Sequence, residues 1–476
     1  MKRNLFLLAA GLSALAATAQ IDIGMQPAMG KGGAGTAILR NWEAIGINPA
    51  NLGWKENHLV SVGAFNFGVS AQSKALDAEQ LREALQNPED TFSTADKQLY
   101  SSIFTTPDGL NLQSNITWGS FSVATPKFGG LAVNLRDRGY AHVGLNHNAA
   151  DILFNGQNAA LFQDTATYSK TIGEILDSTN LSFMAYRELN IAYGRRIAAF
   201  GTEGTDGEKE NQLFAGIGVK MLWGMAHCEA MAENKQLTGH ASMSTNFGVN
   251  YGAIQNFDPQ KTDLLFNSVG NGMAIDAGVS FVLKQKFRFG LALTDMGSIK
   301  WKNNLLITTD TTMTPLDTTN NGINSWNLGE QGSFAFANDG LFNYGPGPDY
   351  KTTLPSRLRI GAGIKLERFE IAADVVVPVS NQSMNISSPY FALGAEYNLL
   401  GFIKFSGGIS GNGDWGLSVP VGLNVGFGGV VETGVATGDL LSLFGSSENP
   451  NLSVSFFILR ININKPKPKD NALPTI

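Results

Sequence analysis

From His58 onward the chain alternates apolar residues with small or polar ones, the period of a strand whose two faces meet different surroundings. Met273, Ile275, Ala277, Val279, Phe281 and Leu283 share one face, against Ala274, Asp276, Gly278 and Ser280 on the other. Lys284-Gln285-Lys286 reads as a tight turn, after which Phe287, Phe289, Leu291 and Leu293 oppose Arg288, Gly290, Ala292 and Thr294. The same alternation runs through 213–224, 357–366, 369–377, 391–399 and 415–427. Further strands are predicted over 58–70, 111–124, 128–140, 181–197, 238–252, 402–411, 430–438 and 452–463. Together these make roughly fourteen to sixteen strands, within the range of membrane barrels.

The second face decides what kind of sheet this is. In a soluble sandwich it would meet water and carry Lys, Thr and Glu. Here it is mostly Gly, Ala, Ser and Asn with an occasional charge, which suits a crowded lumen. The apolar face is large and almost free of charge, as lipid demands, because an exposed charge at the bilayer midplane costs about 2–4 kcal/mol. The prediction is an all-β fold: a transmembrane antiparallel β-barrel with an N-terminal plug, or hatch, and some helical loop insertions.

The connections support it. Lys284-Gln285-Lys286, Glu367-Arg368 and Leu400-Gly401 are short, whereas 71–110, 141–180, 253–270 and 298–353 are long. Barrels place short turns on the periplasmic side and long loops outside. The first long loop holds a helical stretch, Leu76 to Leu85, ended by Asn87-Pro88.

Composition sharpens this reading. The 476 residues are 43% hydrophobic yet only 16% charged, against about 25% in a soluble domain. No segment reads as an apolar helix: the uncharged run Trp415 to Val431 contains Pro420 and repeated glycines. A barrel resolves the mismatch, since only every second residue faces lipid. One cysteine, Cys228, excludes an intrachain disulfide framework. A net charge of -6 without a basic run argues against nucleic acid as a partner.

The ends divide the chain. Lys2 and Arg3, the apolar stretch Leu5 to Ala17, and Ala17-Thr18-Ala19 form a secretory signal peptide over 1–19, with the mature chain starting at Gln20. Residues 20–54 read as a compact, partly helical plug segment that carries Gly30, Gly32, Gly33, Gly35, Asn48, Pro49 and Ala50. Residues 55–464 form the barrel, and 465–476 a polar periplasmic tail. Export places the barrel in the outer membrane, in contact with its lipid.

Motifs for chemistry are sparse. Gly30-x-Gly32-x-x-Gly35 matches the dinucleotide fingerprint formally, but no hydrophobic strand precedes it. Its glycines suit close backbone packing against a wall. The five histidines are scattered and no G-x-S-x-G occurs, so neither metal, cofactor nor enzymatic activity is expected. Glu188, Lys220, Asp276, Arg288, Arg357, Arg359, Asp374 and Glu396 are candidate lumen polar residues, joined by Glu370 and Lys404. Ion pairs between wall and plug are expected, since buried charges need partners. Trp118, Trp223, Trp301 and Trp415 are expected in interfacial girdles. Pro420, mid-strand, predicts a local break in the ladder and, with it, a sideways opening.

Gly32-Gly33-Ala34-Gly35-Thr36-Ala37 and Asn48-Pro49-Ala50-Asn51-Leu52 resemble the start of the FadL-type outer-membrane transporters, and Gly216 to Gly224 resembles a recurrent strand of that group. Phrases such as Glu188 to Gly194, Ala274 to Gly278, Asp295-Met296-Gly297 with Trp301, and Leu354-Pro355-Ser356 resemble an uncharacterised Bacteroidota outer-membrane barrel family related to FadL and PorV. The resemblance implies about fourteen strands, a lumen closed by the N-terminal segment, and passage of hydrophobic compounds. The chain departs from the usual pattern beyond Ile463, where a polar tail replaces a terminal aromatic. The expected function is binding or passive transport of a hydrophobic small molecule. The rival is a PorV-like barrel that docks secreted proteins or envelope components.

Overall fold

The computed structural model describes residues 24–204, 207–247, 268–316, 320–326, 342, 344–382, 384–427, 430–445 and 447–464. Residues 1–23, 248–267, 327–341 and 465–476 lie outside the described residues, and with them the predicted signal peptide over 1–19 and the predicted polar tail.

Fourteen strands make the wall. They are β1 Val60–Ser73, β2 Leu110–Thr125, β3 Gly129–Gly144, β4 Thr179–Glu203, β5 Lys209–Glu233, β6 Gly270–Leu283 and β7 Phe287–Trp301, followed by β8 Arg357–Lys365, β9 Phe369–Pro378, β10 Tyr390–Asn398, β11 Ile403–Asn412, β12 Val421–Phe427, β13 Val431–Thr437 and β14 Asn451–Ile463. Each pairs antiparallel with its neighbour in chain order. β1 also pairs with β14, from Val60↔Ile463 to Gln72↔Asn451, so the sheet closes. Closure leaves no edge with unpaired backbone groups, the condition for a sheet to cross hydrocarbon.

The two faces are inverted relative to a water-soluble protein. Met273, Val279, Phe289, Ile360, Phe391 and Phe405 point outward and are exposed, whereas Asp276, Arg288, Arg359 and Asp374 point inward and are buried. Among the described residues no helix is long and apolar enough to span a membrane, which says nothing about strands.

Short turns at 284–286, 366–368 and 399–402 lie at one end, where the N-terminal segment leads into β1 and β14 stops. Lys284 and Gln285 have φ of 51° and 54°, the left-handed pair of a type I′ hairpin turn that matches strand twist. The other end carries the long loops, with helices Ala78–Gln86, Thr94–Ile103 and His147–Asn155. Asp77 and Gln80 form a capping box on the first of these, and Asn87 ends it.

One predicted strand is corrected, and one expected break is found. Of the predicted strand 238–252, residues 248–252 lie outside the described residues, and its first part belongs to Gln236–Met243, which turns back on the upper part of β5 instead of taking a place among the fourteen. It pairs with Leu305–Thr308, which pairs with Tyr344–Pro346, extending the wall on the loop side. The run 415–427 divides into Gly416–Ser418 and β12, because Pro420 cannot donate to the ladder.

Candidate functional site: the barrel interior

Residues 24–54 lie buried inside the wall. A helical turn, Gln26–Met29, and two 3-10 turns, Asn41–Ala44 and Pro49–Gly53, give the segment its shape. Asn48 caps the last turn by accepting from the Ala50 N–H, and its amide donates to the carbonyls of Thr36 (3.1 Å) and Val279 (3.2 Å). Asn51 donates to the Thr36 and Leu39 carbonyls. Polar side chains thus satisfy an irregular backbone that water does not reach.

The inward glycines of the wall have a steric reason. A Cβ on Gly216 would stand 2.3 Å from the Pro49 carbonyl carbon, and one on Gly394 would stand 2.5 Å from Lys31 Cβ. The small second face read in the sequence is the surface on which the internal segment rests. Gly32 and Gly33 adopt φ of 71° and 93°, conformations that side-chain-bearing residues rarely take.

Charge joins segment and wall. Asp374 on β9 accepts from the Gly35 N–H (3.0 Å), the Thr36 N–H (2.9 Å) and the Thr36 hydroxyl (2.6 Å). Lys31 meets Glu396 on β10 at 3.2 Å. Arg460 on β14 bridges Glu43 of the segment and Glu432 of β13, and Lys404 also reaches Glu432. Arg288 pairs with Glu370 at 3.1 Å and with Glu56 at 2.7 Å. Burial works against the Glu56 carboxylate, but Arg288, Arg40 and Lys365 outweigh it and hold that carboxyl below its ordinary value.

A second polar group spans β3 to β7. Arg136 donates to Glu188 (Nε–Oε1 2.8 Å), and Arg138 reaches Asp295 at 3.1 Å. Lys220 meets Asp276 at 3.0 Å and also contacts Asp295. Asp295 faces inward because it sits in a bulge: its φ is 59°, and the β6–β7 register shifts between Ile275 and Ala277. Arg357 donates to Asn385, while Nε and Nη1 of Arg359 have no hydrogen-bond partner among the described residues.

Toward the loop end the interior becomes aromatic. Tyr140, Met184, Tyr186, Leu222, Trp301 and Leu354 form one buried cluster. Beyond it, the loops pack Phe104, Phe154, Ile152, Ile172 and Leu176 into an apolar mass with Phe92, Tyr100 and Trp326 at its margin. Trp301, within the first cluster, and Trp415, packed against Val376 and Ile386, are buried, contrary to the girdle expectation.

The wall is interrupted at Pro420. β11 pairs with 416–418 through Ser410–Asn412 and with β12 through Ile403–Gly407, leaving 408–409 outside both ladders. Gly408 donates to the Pro420 carbonyl at 3.1 Å, but a proline has no N–H to return the bond. Gly32 of the internal segment approaches both Ser410 and Pro420. An apolar groove of about 540 Å³ runs along the outside there, lined by Ile360, Val375, Phe391, Leu393, Ile409 and Leu417.

The candidate residues fall into place unevenly. Gly30, Gly32, Asn48, Pro49 and Ala50 all meet the wall or order the segment; Glu188, Lys220 and Asp276 form one network; Arg288, Asp374 and Glu396 form others. Arg357 and Arg359 join no ion pair among the described residues. Sequence reasoning missed Arg136, Arg138, Asp295 and Arg460. The first two share a face by simple alternation and could have been found. Asp295 could not, since a bulge moves it across the sheet. Among the described residues no group of His, Cys, Asp and Glu is arranged to hold a metal.

A closed antiparallel sheet with an even strand number, an outward apolar belt and turns short at one end only defines the class: a β-barrel of the outer-membrane type. Residues 49–432 match the model of the family of unknown function DUF5723, and the chain belongs to that family. Among solved structures it is similar to the Ralstonia pickettii toluene transporter TbuX, at 12% identity over 93% of this chain and 99% of that one, with a TM-score of 0.46. It is similar to the CymD monoaromatic hydrocarbon channel, at 11% identity over 94% and 100% of the two chains, TM-score 0.47. A Pseudomonas aeruginosa FadL homologue is matched at 10% identity over 95% and 100%, TM-score 0.38. No curated protein matches the sequence.

Proposed function

We propose that the protein is an outer-membrane barrel that binds and passively transports hydrophobic small molecules, with residues 20–54 as its plug. The observation that carries this reading is the meeting of Gly32 with Ser410 and Pro420 at the one place where the β11 ladder is interrupted. The apolar groove lies on the outer side of that interruption. A ligand enters through the apolar loop mass, reaches the aromatic cluster around Tyr186 and Trp301, and leaves sideways when the plug shifts from Pro420. An apolar solute gains by passing from lumen to lipid without crossing water.

Two measurements test it. Deleting residues 24–54 raises single-channel conductance in a planar bilayer; unchanged conductance defeats the plug. Organic extraction and mass spectrometry of the purified barrel recovers a hydrophobic compound, and proteoliposomes take up an apolar fluorescent tracer faster than empty vesicles. Equal uptake defeats transport.

A second reading, docking of secreted or envelope proteins in the manner of PorV, is favoured by Leu85, Leu441 and Phe444, which stand exposed on the loop side. Isolated apolar loop residues are common, whereas a cluster of them marks a contact site.

A further inference from the structure

Among the described residues, an ion pair stands on the outward belt of the wall where lipid would be expected. Asp137 lies eight residues from the start of β3 and seven from its end. Its registered partner across to β4 is Arg187. The side chains form a two-pronged bridge, Nε–Oδ1 2.6 Å and Nη2–Oδ2 2.7 Å, and Trp118 Nε1 donates to Oδ2 at 2.8 Å. Arg136, Arg138, Tyr186 and Glu188 on either side point inward and are fully buried, so Asp137 and Arg187 face out. Trp118 is the extra residue of a bulge between Thr117 and Gly119, and its ring meets Phe65 edge-on at 6.2 Å. Above the pair, Ser114 and Gly139 oppose one another and leave the wall indented.

Lipid alone gives no reason for this arrangement. A charged side chain at mid-bilayer is unfavourable, and an apolar pair of similar volume serves a lipid-facing strand at least as well. Trp and Arg are the residue types that anchor protein interfaces. The geometry has a further property. Carboxylate and guanidinium stand side by side in contact on adjacent strands. A two-fold axis along the membrane normal, passing between them, sets each Asp137 against the Arg187 of the other copy. Four charges then alternate around the axis, and the indentation at Ser114 and Gly139 lets the walls approach. Such an interface is self-complementary, the requirement for the commonest kind of oligomer.

We propose that β2, β3 and β4 form the interface of a two-fold dimer of this chain, closed by a ring of two Asp137 and two Arg187 side chains. The axis also places Leu135 of one copy opposite Leu189 of the other, because those two are registered partners next to the charged pair.

The test uses the full chain in lipid nanodiscs and mild detergent, with Cys228→Ser throughout. Native mass spectrometry is expected to find dimers for the parent and for the charge-swapped D137R/R187D chain. R187D alone, which places four carboxylates around the axis, lowers the dimer association constant about tenfold or more, since like charges face to face cost several kcal/mol. Retention of the folded mobility on unheated gels shows that R187D still closes its barrel. Mild oxidation of an equal mixture of L135C and L189C chains gives a cross-linked dimer that neither chain gives alone. A parent that stays monomeric in nanodiscs, a dimer indifferent to R187D, or a different membrane protein recovered in place of the second copy overturns the proposal. None of these outcomes bears on whether residues 24–54 block the pore.

Discussion

The two halves of the barrel are built differently. β1 to β7 run 14 to 25 residues each, and β8 to β14 run 7 to 13. The long half carries the network of Arg136, Arg138, Glu188, Lys220, Asp276 and Asp295, which ties wall to wall. The short half carries Asp374, Glu396 and Arg460, which tie wall to internal segment, and the interruption at Pro420. Long ladders knit by internal charge resist local opening, whereas short ladders whose charges hold a separate segment can let it go. Under the proposed function, the difference would put the stable frame on one side and the moving contact on the other.

The comparison can be broken most sharply at Lys220. Lys220→Met leaves Asp276 buried without its ammonium and is expected to cost about 3–5 kcal/mol, as removal of one member of a buried pair does. Urea unfolding in detergent should show it, with the pore still closed in a planar bilayer. If conductance rises instead, the long half is not a passive frame.

Asp374→Asn tests the other half. The amide keeps the shape but loses the charge that draws the Gly35 and Thr36 donors, a loss of about 2–3 kcal/mol. The expected readout is frequent opening events in single-channel records, with a smaller fall in unfolding midpoint than for Lys220→Met. Silent records would sever the link between this carboxylate and the internal segment.

The smallest expected effect is at the interruption. Pro420→Ala supplies the N–H that can return the bond to Gly408, adding about 1 kcal/mol and slowing amide exchange around residues 408–409. Tracer uptake should slow with it; unchanged uptake places the exit elsewhere.

Much of the wall was legible in the alternation. The outward Met273, Val279, Phe289 and Leu393 and the inward Asp276, Arg288 and Asp374 follow from counting by two. The Lys284-Gln285-Lys286 turn and the break at Pro420 follow from local chemistry. The misreadings have two causes. The bulge at Asp295 shifts the count by one, and a strand such as Gln236–Met243 can pair without joining the ring. The burial of Trp301 and Trp415 was illegible because the loops that cover them are distant in sequence.

The sheet, its two faces and the side on which its loops are long can all be read along the chain, because a period of two is local and survives whatever the strand packs against. Which carboxylate holds Thr36, why Gly394 must be bare, and that Asp137 and Arg187 stand together on the outer face emerge once the barrel is closed. Those relations join residues from different strands or from opposite ends of the chain. Closing the barrel brings them within bonding distance, and no local pattern carries that information.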